Sequence, residues 1–369
     1  MGPLSGFRIV ELAGIGPAPM CAMLLADLGA DIIRIDRTAP SELGVQRPLK
    51  FNLTLRGRKA VALDLKSEEG RETVLELVER ADALIEGFRP GVTERLGLGP
   101  NDCLERNPRL VYGRMTGWGQ TGPLASTAGH DLNYIGLIGA LNAIGRADQL
   151  PTPPLNLVGD FGGGALYLAL GILSALLERQ TSGRGQVVDA AIVDGAASLM
   201  MQFFGMSAAG LWENARGKNV LDSGSPFYDV YACGDGGLIS VAPIERKFLE
   251  ELIKRLELAD DSVALAGNKT DWPELRKRLA GAFRQKPRSH WCALFEGTDS
   301  CIAPVLTMSE APEHPHLKSR GTFITVDGVV QPAPAPRFSR SQLGSPIPPQ
   351  PSRAASKSEI LAAWPPRSA

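Results

Sequence analysis

The chain has 369 residues, 44% of them hydrophobic and 21% charged, a composition that buries a sizeable core, excludes a disordered chain, and at this length predicts about two domains. Lys plus Arg (39) nearly equals Asp plus Glu (40), for a net charge of -1; no overall field draws it to nucleic acid or an anionic membrane, so neither partner is expected and any basic site must be local. The longest apolar stretches, such as 165–177, are interrupted by Tyr, Gly and Ser and fall short of about 20 residues, so no transmembrane helix is predicted.

Residues Met1 to Gly6 lack the apolar core of a signal peptide, Gly6 stands where a myristoylation motif wants Ser or Thr, and Arg367-Ser368-Ala369 is not a peroxisomal signal. The five cysteines (Cys21, Cys103, Cys233, Cys292, Cys301) are dispersed and never spaced as Cys-x-x-Cys, which fits a reduced, cytoplasmic protein.

In chain order, Phe7 to Leu12 reads as a buried strand, Ala13 to Pro19 as a turn, Met20 to Leu28 as a helix and Asp31 to Asp36 as a second strand. Further strands are expected at Val61 to Leu65, Ala83 to Glu86 and Leu110 to Met115, with a helix between whose Val74, Leu77, Val78 and Ala81 share one face. This alternation predicts an α/β fold, a Rossmann-like parallel sheet covered on both faces. An apolar helix from Gly164 to Glu178 ends at Gly183, followed by a strand Gln186 to Ala190 and a helix near Val193. Phe227 to Ala232 and Gly237 to Val241 pair as a hairpin, with helices at Lys247 to Leu256 and Trp272 to Phe283, an α+β rhythm. The expected division is a large domain over 1–200, a linker over 201–226, a small α+β domain over 227–315, and over 316–369 a return segment and Pro-rich tail packing on the large domain, with a short helix at Ser358 to Trp364.

Several residue groups carry candidate chemistry. His314 and His316 lie in a Glu- and Pro-rich stretch whose prolines break the spacing that would bring ligands together, so no metal is expected there. Gly14-Ile15-Gly16-Pro17-Ala18-Pro19 mimics a dinucleotide fingerprint, but Pro19 replaces its third glycine, and a tight βα turn is the better reading. Arg34, Arg37, Arg56, Arg58, Lys59, Lys66, Arg89 and Arg95 concentrate positive charge on the βα half, several just after strands, where a phosphorylated ligand would sit. His130 lies in a polar, glycine-introduced turn instead of an apolar stripe. Asp160 precedes the apolar helix, where an N-cap is the plain explanation. The run Gly162 to Gly164 is poor helix chemistry, at about 1 kcal/mol per Gly, and at a helix start it would let a developing negative charge approach exposed N–H groups.

Four blocks, Gly113 to Pro123, Ala128 to Tyr134, Leu155 to Gly164 and Gly183 to Ala190, together with Asp222 to Tyr228 and Asp299 to Leu306, resemble the signature blocks of the α-methylacyl-CoA racemases, within the class III CoA-transferase superfamily. The resemblance implies an interlocked homodimer in which the Rossmann-like domain meets the partner's small domain. By position it places the two proton-transfer groups on His130 and Asp160, and on Glu245 a glutamate that reaches the histidine of the other subunit. It places CoA-binding positions on Arg37, on Leu63, Asp64, Leu65 and Lys66, on Arg95, on Gly129, Asp131, Leu132, Asn133 and Tyr134, and on Asn156. The implied reaction interconverts (2R)- and (2S)-2-methylacyl-CoA through an enolate, with two acid/base groups flanking one carbon. It needs no nicotinamide, metal or other cofactor, because CoA is part of the substrate. Glu245 would orient His130 and stabilise its imidazolium form. Arg246-Lys247 follows Glu245 where the racemases usually show Pro-Gln, and Ala242-Pro243 replaces their usual Gly-Ala, so the role of Glu245 is the point at which this chain departs. Two other readings compete: a class III CoA-transferase using Asp160 as a nucleophile that forms an aspartyl-CoA intermediate, and a non-catalytic acyl-CoA-binding protein.

Overall fold

A computed structural model describes residues 1–39 and 44–366; the C-terminal tripeptide considered above lies outside the described residues. The first part forms β1 (Arg8–Leu12), α1 (Pro17–Asp27), β2 (Asp31–Asp36), β3 (Arg58–Ala62), α2 (Glu68–Val78), β4 (Ala83–Glu86), α3 (Val92–Arg95), α4 (Pro100–Arg106), β5 (Val111–Thr116) and α5 (Asp131–Leu137). Then come α6 (Ala140–Ala143), a π-helical segment (Leu157–Ala165), α7 (Leu166–Ser182), β6 (Val187–Ala191), α8 (Ile192–Leu199) and α9 (Met201–Ala208). The remainder carries β7 (Asp229–Ala232), β8 (Leu238–Val241), α10 (Arg246–Arg255), α11 (Ser262–Leu265), α12 (Trp272–Phe283), α13 (Arg288–Phe295), β9 (Ile302–Val305), α14 (Pro315–Arg320), β10 (Phe323–Val326), β11 (Val329–Pro332) and α15 (Lys357–Ala362).

The chain divides into two compact units. The first comprises 1–138, 154–200 and 321–369. Its centre is an all-parallel sheet in the order β3-β2-β1-β4-β5-β6, the doubly wound arrangement expected from the βα alternation. The pleat sends neighbouring residues to opposite faces: Ile9, Ile32 and Ala83 join one core with Ala22 of α1 and Ile172 of α7, while Val10, Ile33 and Leu84 join the other with Val74 and Leu77 of α2. Ile360 and Trp364 of the returning tail bury in that second core, and Trp364 donates its indole N–H to Asp31 Oδ2 at 2.9 Å.

Several elements differ from the sequence expectation. β3 starts at Arg58 and not at Val61, because the Arg58 guanidinium is itself buried, pairing at 2.8 Å with the equally buried Glu11 of β1; removing either partner would leave an uncompensated charge worth about 3–5 kcal/mol. The helix expected over Gly164 to Glu178, on an apolar stretch judged too short to span a bilayer, is longer: 157–182 is one helix of 26 residues, long and apolar enough by length and composition to cross a membrane. In the fold one face of it is core, with Leu168, Ala169, Ile172, Ala175 and Leu176 buried, as for the central helix of an α/β layer.

The second unit comprises 139–153 and 201–320, so the stretch 201–226, expected as a linker, belongs to it. That stretch begins with α9 and closes on Asp222, whose carboxylate accepts the backbone N–H groups of Gly217 (3.0 Å), Asn219 (2.8 Å) and Gly224 (3.1 Å). The antiparallel sheet β7-β8-β9 packs against α10, α12 and α13 around Tyr231, Ile239, Leu252, Leu279, Phe283 and Trp291. β9 escapes the sequence pattern because it is short, carries Pro304, and is an edge strand, where a missing N–H is tolerated. In the first unit, β10 and β11 form a hairpin around Asp327 (φ 49°) and Gly328 (φ 72°); the Asp-Gly pair was its available signal.

Candidate active site

In an open parallel sheet, ligands collect beyond the strand carboxyl ends where the strand order reverses. Here the reversal lies between β1 and β4. A cavity of about 490 Å³ opens there, walled by Ile15 to Pro17 after β1, Arg37 after β2, Gly87 to Pro90 after β4 and Thr116 to Trp118 after β5. His130, Tyr134 and Asp160 also line it. The structure thus brings together His130, Asp160 and Arg37, which sequence reasoning selected separately.

Local geometry explains each position. His130 is the exposed N-cap residue of α5, its backbone N–H held by Asn133 Oδ1 at 3.0 Å. Tyr134, one turn on, is buried edge-on against Trp118, with ring centroids 4.7 Å apart, and its hydroxyl donates to the Gly129 carbonyl. A side chain at Gly117 would strike the Tyr134 ring, its Cβ falling 2.1 Å from Cζ. Asp160 is not the N-cap of a helix but lies inside the π-helical segment; such segments re-aim one turn and recur at functional sites. Its Oδ2 accepts from Asn156 Nδ2 at 3.2 Å, and its backbone N–H donates to Asp131 Oδ2 at 2.6 Å. Burial pushes the Asp160 carboxyl above its ordinary range; the Asn156 hydrogen bond opposes this, the Asp131 charge adds to it, and His130 opposes it. Burial likewise raises the Tyr134 phenol to about 12, so the hydroxyl stays a donor at neutral pH.

The glycine run reads differently in the structure. Gly162 to Gly164 lie within the π-helical segment and not at an open helix start. A Cβ on Gly163 would lie 2.5 Å from the Ala196 nitrogen of α8, and one on Gly164 2.9 Å from Pro17 Cβ. These glycines serve close packing of the segment against its neighbours.

Arg89 is a cavity residue that the sequence reading left among general basic charge. Its signal was its place, three residues past the end of β4. Phe88 beside it donates its N–H to Glu86 Oε2 at 2.7 Å, and Glu86, a buried acid whose carboxyl burial pushes up to about 7, also accepts from Arg114 Nε at 2.9 Å. Arg37 lies over the Phe88 ring, 6.0 Å from its centroid. Of the remaining expected CoA positions Gly129 lines the cavity, whereas Leu63 to Lys66, Arg95, Asp131 to Asn133 and Asn156 are not among its lining residues. Leu63 to Lys66 follow β3, where Asp64 Oδ1 accepts the Lys66 N–H at 3.0 Å. Arg95 ends α3, and Leu132 and Asn133 are exposed on α5. Asp131 is buried and turned toward Asp160, not toward solvent.

Glu245 belongs to the second unit, exposed as the N-cap residue of α10. The two cations that follow it have other contacts: Arg246 pairs with Glu250 at 2.8 Å, and the Lys247 ammonium lies 4.6 Å from the Phe248 ring centroid. Among the described residues no group of three or more His, Cys, Asp or Glu side chains could hold a metal ion.

The doubly wound sheet and the small α+β unit go with a known class: residues 4–355 match CoA-transferase family III, and the chain belongs to that family. Within it, the chain is 45% identical over 340 residues to the alpha-methylacyl-CoA racemase of Mus musculus, covering 92% of this chain and 87% of that protein. The Homo sapiens alpha-methylacyl-CoA racemase is 45% identical over 334 residues, 90% of this chain and 86% of that one. The crystal structure of a CaiB/BaiF family protein from Brucella suis superposes with a TM-score of 0.80 at 26% identity, over 99% of this chain and 100% of that one.

Proposed function

We propose that this protein is an isomerase that interconverts the (2R) and (2S) epimers of 2-methylacyl-CoA thioesters by moving the α-proton between His130 and Asp160. The observation that carries this reading is that both groups line one cavity together with two arginines, Arg37 and Arg89. One group removes the proton, the thioester carbonyl takes the charge as an enolate, and the other returns a proton to the opposite face. An elevated Asp160 carboxyl suits a group that must hold a proton in half of its cycle. Racemisation is favoured over CoA transfer by the 45% identity to two alpha-methylacyl-CoA racemases. Arg37 and Arg89 supply the charge that CoA phosphates need. CoA arrives as part of the substrate, and the reaction calls for no nicotinamide or metal.

The reading extends to assembly. α7 leaves Leu166, Leu170 and Leu177 exposed, an apolar face that a second copy would cover, with Glu245 of the partner subunit orienting His130. The five cysteines are all free thiols, as a reducing cytoplasm would keep them.

The test is incubation of one epimer of a 2-methylacyl-CoA in D₂O, following the α-proton by NMR and the product's configuration. Exchange with epimerisation is expected, lowered about 100-fold or more by His130→Ala or Asp160→Asn. Absence of exchange, with CoA transferred to a free carboxylic acid and a hydroxylamine-trappable CoA adduct on Asp160, would establish the transferase reading instead.

A further inference from the structure

Asp131 is the residue after His130, and its carboxylate reaches the other proton-transfer group. Its Oδ2 accepts the Asp160 N–H at 2.6 Å, while its Oδ1 is buried with no hydrogen-bond partner among the described residues. The approach is so close that a Cβ on Gly159 would lie 2.6 Å from Asp131 Oδ2 and 3.1 Å from Ile135 Cγ2. A buried carboxylate that uses one oxygen on a backbone amide and leaves the other unpaired is costly. A neutral side chain could accept the same N–H.

We propose that Asp131 is a positioning residue of the proton-transfer pair, joining the start of α5 to the π-helical segment so that His130 and Asp160 are held as one unit, and keeping a negative charge beside Asp160. This rests on the racemase reading. It removes Asp131 from the CoA-binding positions and gives it a role through Asp160.

Elements packed on the π-helical segment contribute Asp194 on α8, Asp189 on β6, Tyr112 and Arg114 on β5 and, on α1, Cys21 and Asp27. α7 adds Tyr167, Glu178 and Arg179, and the cavity adds Arg37, Arg89 and Tyr134. Of the charged groups, Asp131 and His130 are the two that act on Asp160, with opposite signs.

A pair that passes one proton is active only when it holds one proton in total. kcat/KM is therefore bell-shaped, with the same limbs in both directions because the equilibrium between epimers does not depend on pH. The acid limb marks uptake of a second proton by the pair. Asp131→Asn keeps an acceptor for the Asp160 N–H but removes the charge, so the acid limb moves to lower pH and kcat falls about tenfold with KM within about twofold. Asp131→Ala also loses the tether and lowers kcat about 100-fold. A purely architectural residue would change thermal stability and leave the limb in place.

A second readout does not depend on turnover. In ¹⁵N-aspartate-labelled protein the Asp160 amide, identified by its absence in Asp160→Asn, should resonate far downfield, exchange slowly with D₂O, and move upfield in Asp131→Asn. An unshifted acid limb in Asp131→Asn, or a loss confined to KM, overturns the proposal. So does a fast-exchanging Asp160 amide in the parent protein, even where the variants do not fold. If the parent protein does not racemise, the amide measurement still decides the tether, which separates failure of this proposal from failure of the racemase reading.

Discussion

Burying Asp160 between Asn156 and Asp131 has a thermodynamic consequence that runs against its chemistry. Its pKa is raised in the folded protein, first by burial and then by the Asp131 charge. An unfolded carboxyl ionises near about 3.9, so above its folded pKa the native state carries a buried charge that the unfolded chain holds in water. Lowering the pH through the folded pKa protonates the group and relieves the penalty. Asp160→Asn is therefore expected to melt about 1–2 °C above the parent at about pH 8, the gap closing by about pH 4, while racemisation is lost. Calorimetry of the two proteins across that range checks this, and a parent more stable than the variant at pH 8 would contradict it. At this scale the sequence was informative where polarity stood out of context: His130 follows a glycine in a polar turn, and Asp160 interrupts an apolar run. The roles of Asp131 and Arg89 were not legible, because each depends on which residue it faces across the fold, a relation that spacing along the chain does not encode.

The elements were legible where one period dominated. β2, β4 and α12 occupy the residues that their patterns predict, since each is a short uniform run bounded by turn or helix-start signals. The π-helical segment was not legible: its glycines read as a helix start, whereas they are small because three neighbours come close. Gly163 meets Ala196, Gly164 meets Pro17 and Gly159 meets Asp131. At Gly163 the obstacle is the backbone nitrogen of α8, 2.5 Å from an added Cβ, so relief requires a helix to shift and not a side chain to rotate. Gly163→Ala should cost about 1–3 kcal/mol of stability in urea unfolding. It should also displace Asp160, lowering kcat more than it raises KM. A variant of parental stability would show that the segment yields more readily than its contacts imply.

His130 and Asp160 belong to the first unit of the chain and Glu245 to the second. The proposed dimer makes the Glu245 that serves each His130 the partner's, and this has a countable outcome. Consider two inactive chains, His130→Ala and Glu245→Gln, folded together in equal amounts so that interlocked subunits can mix. If each site draws both residues from one chain, every site in every mixed dimer keeps one lesion and no activity returns. If sites are shared, each mixed dimer holds one site with both residues intact and one with both replaced. Random pairing makes half of the dimers mixed, so about a quarter of parental activity per chain should return. Refolding each variant alone, then combining them, gives the control without exchange. The position of Arg246 and Lys247 beside Glu245 bears on the size of the Glu245→Gln defect. Arg246 is paired with Glu250 and Lys247 lies over Phe248, so neither cation is engaged by Glu245, and replacing Glu245 should disable the site strongly enough for the regained quarter to be measured.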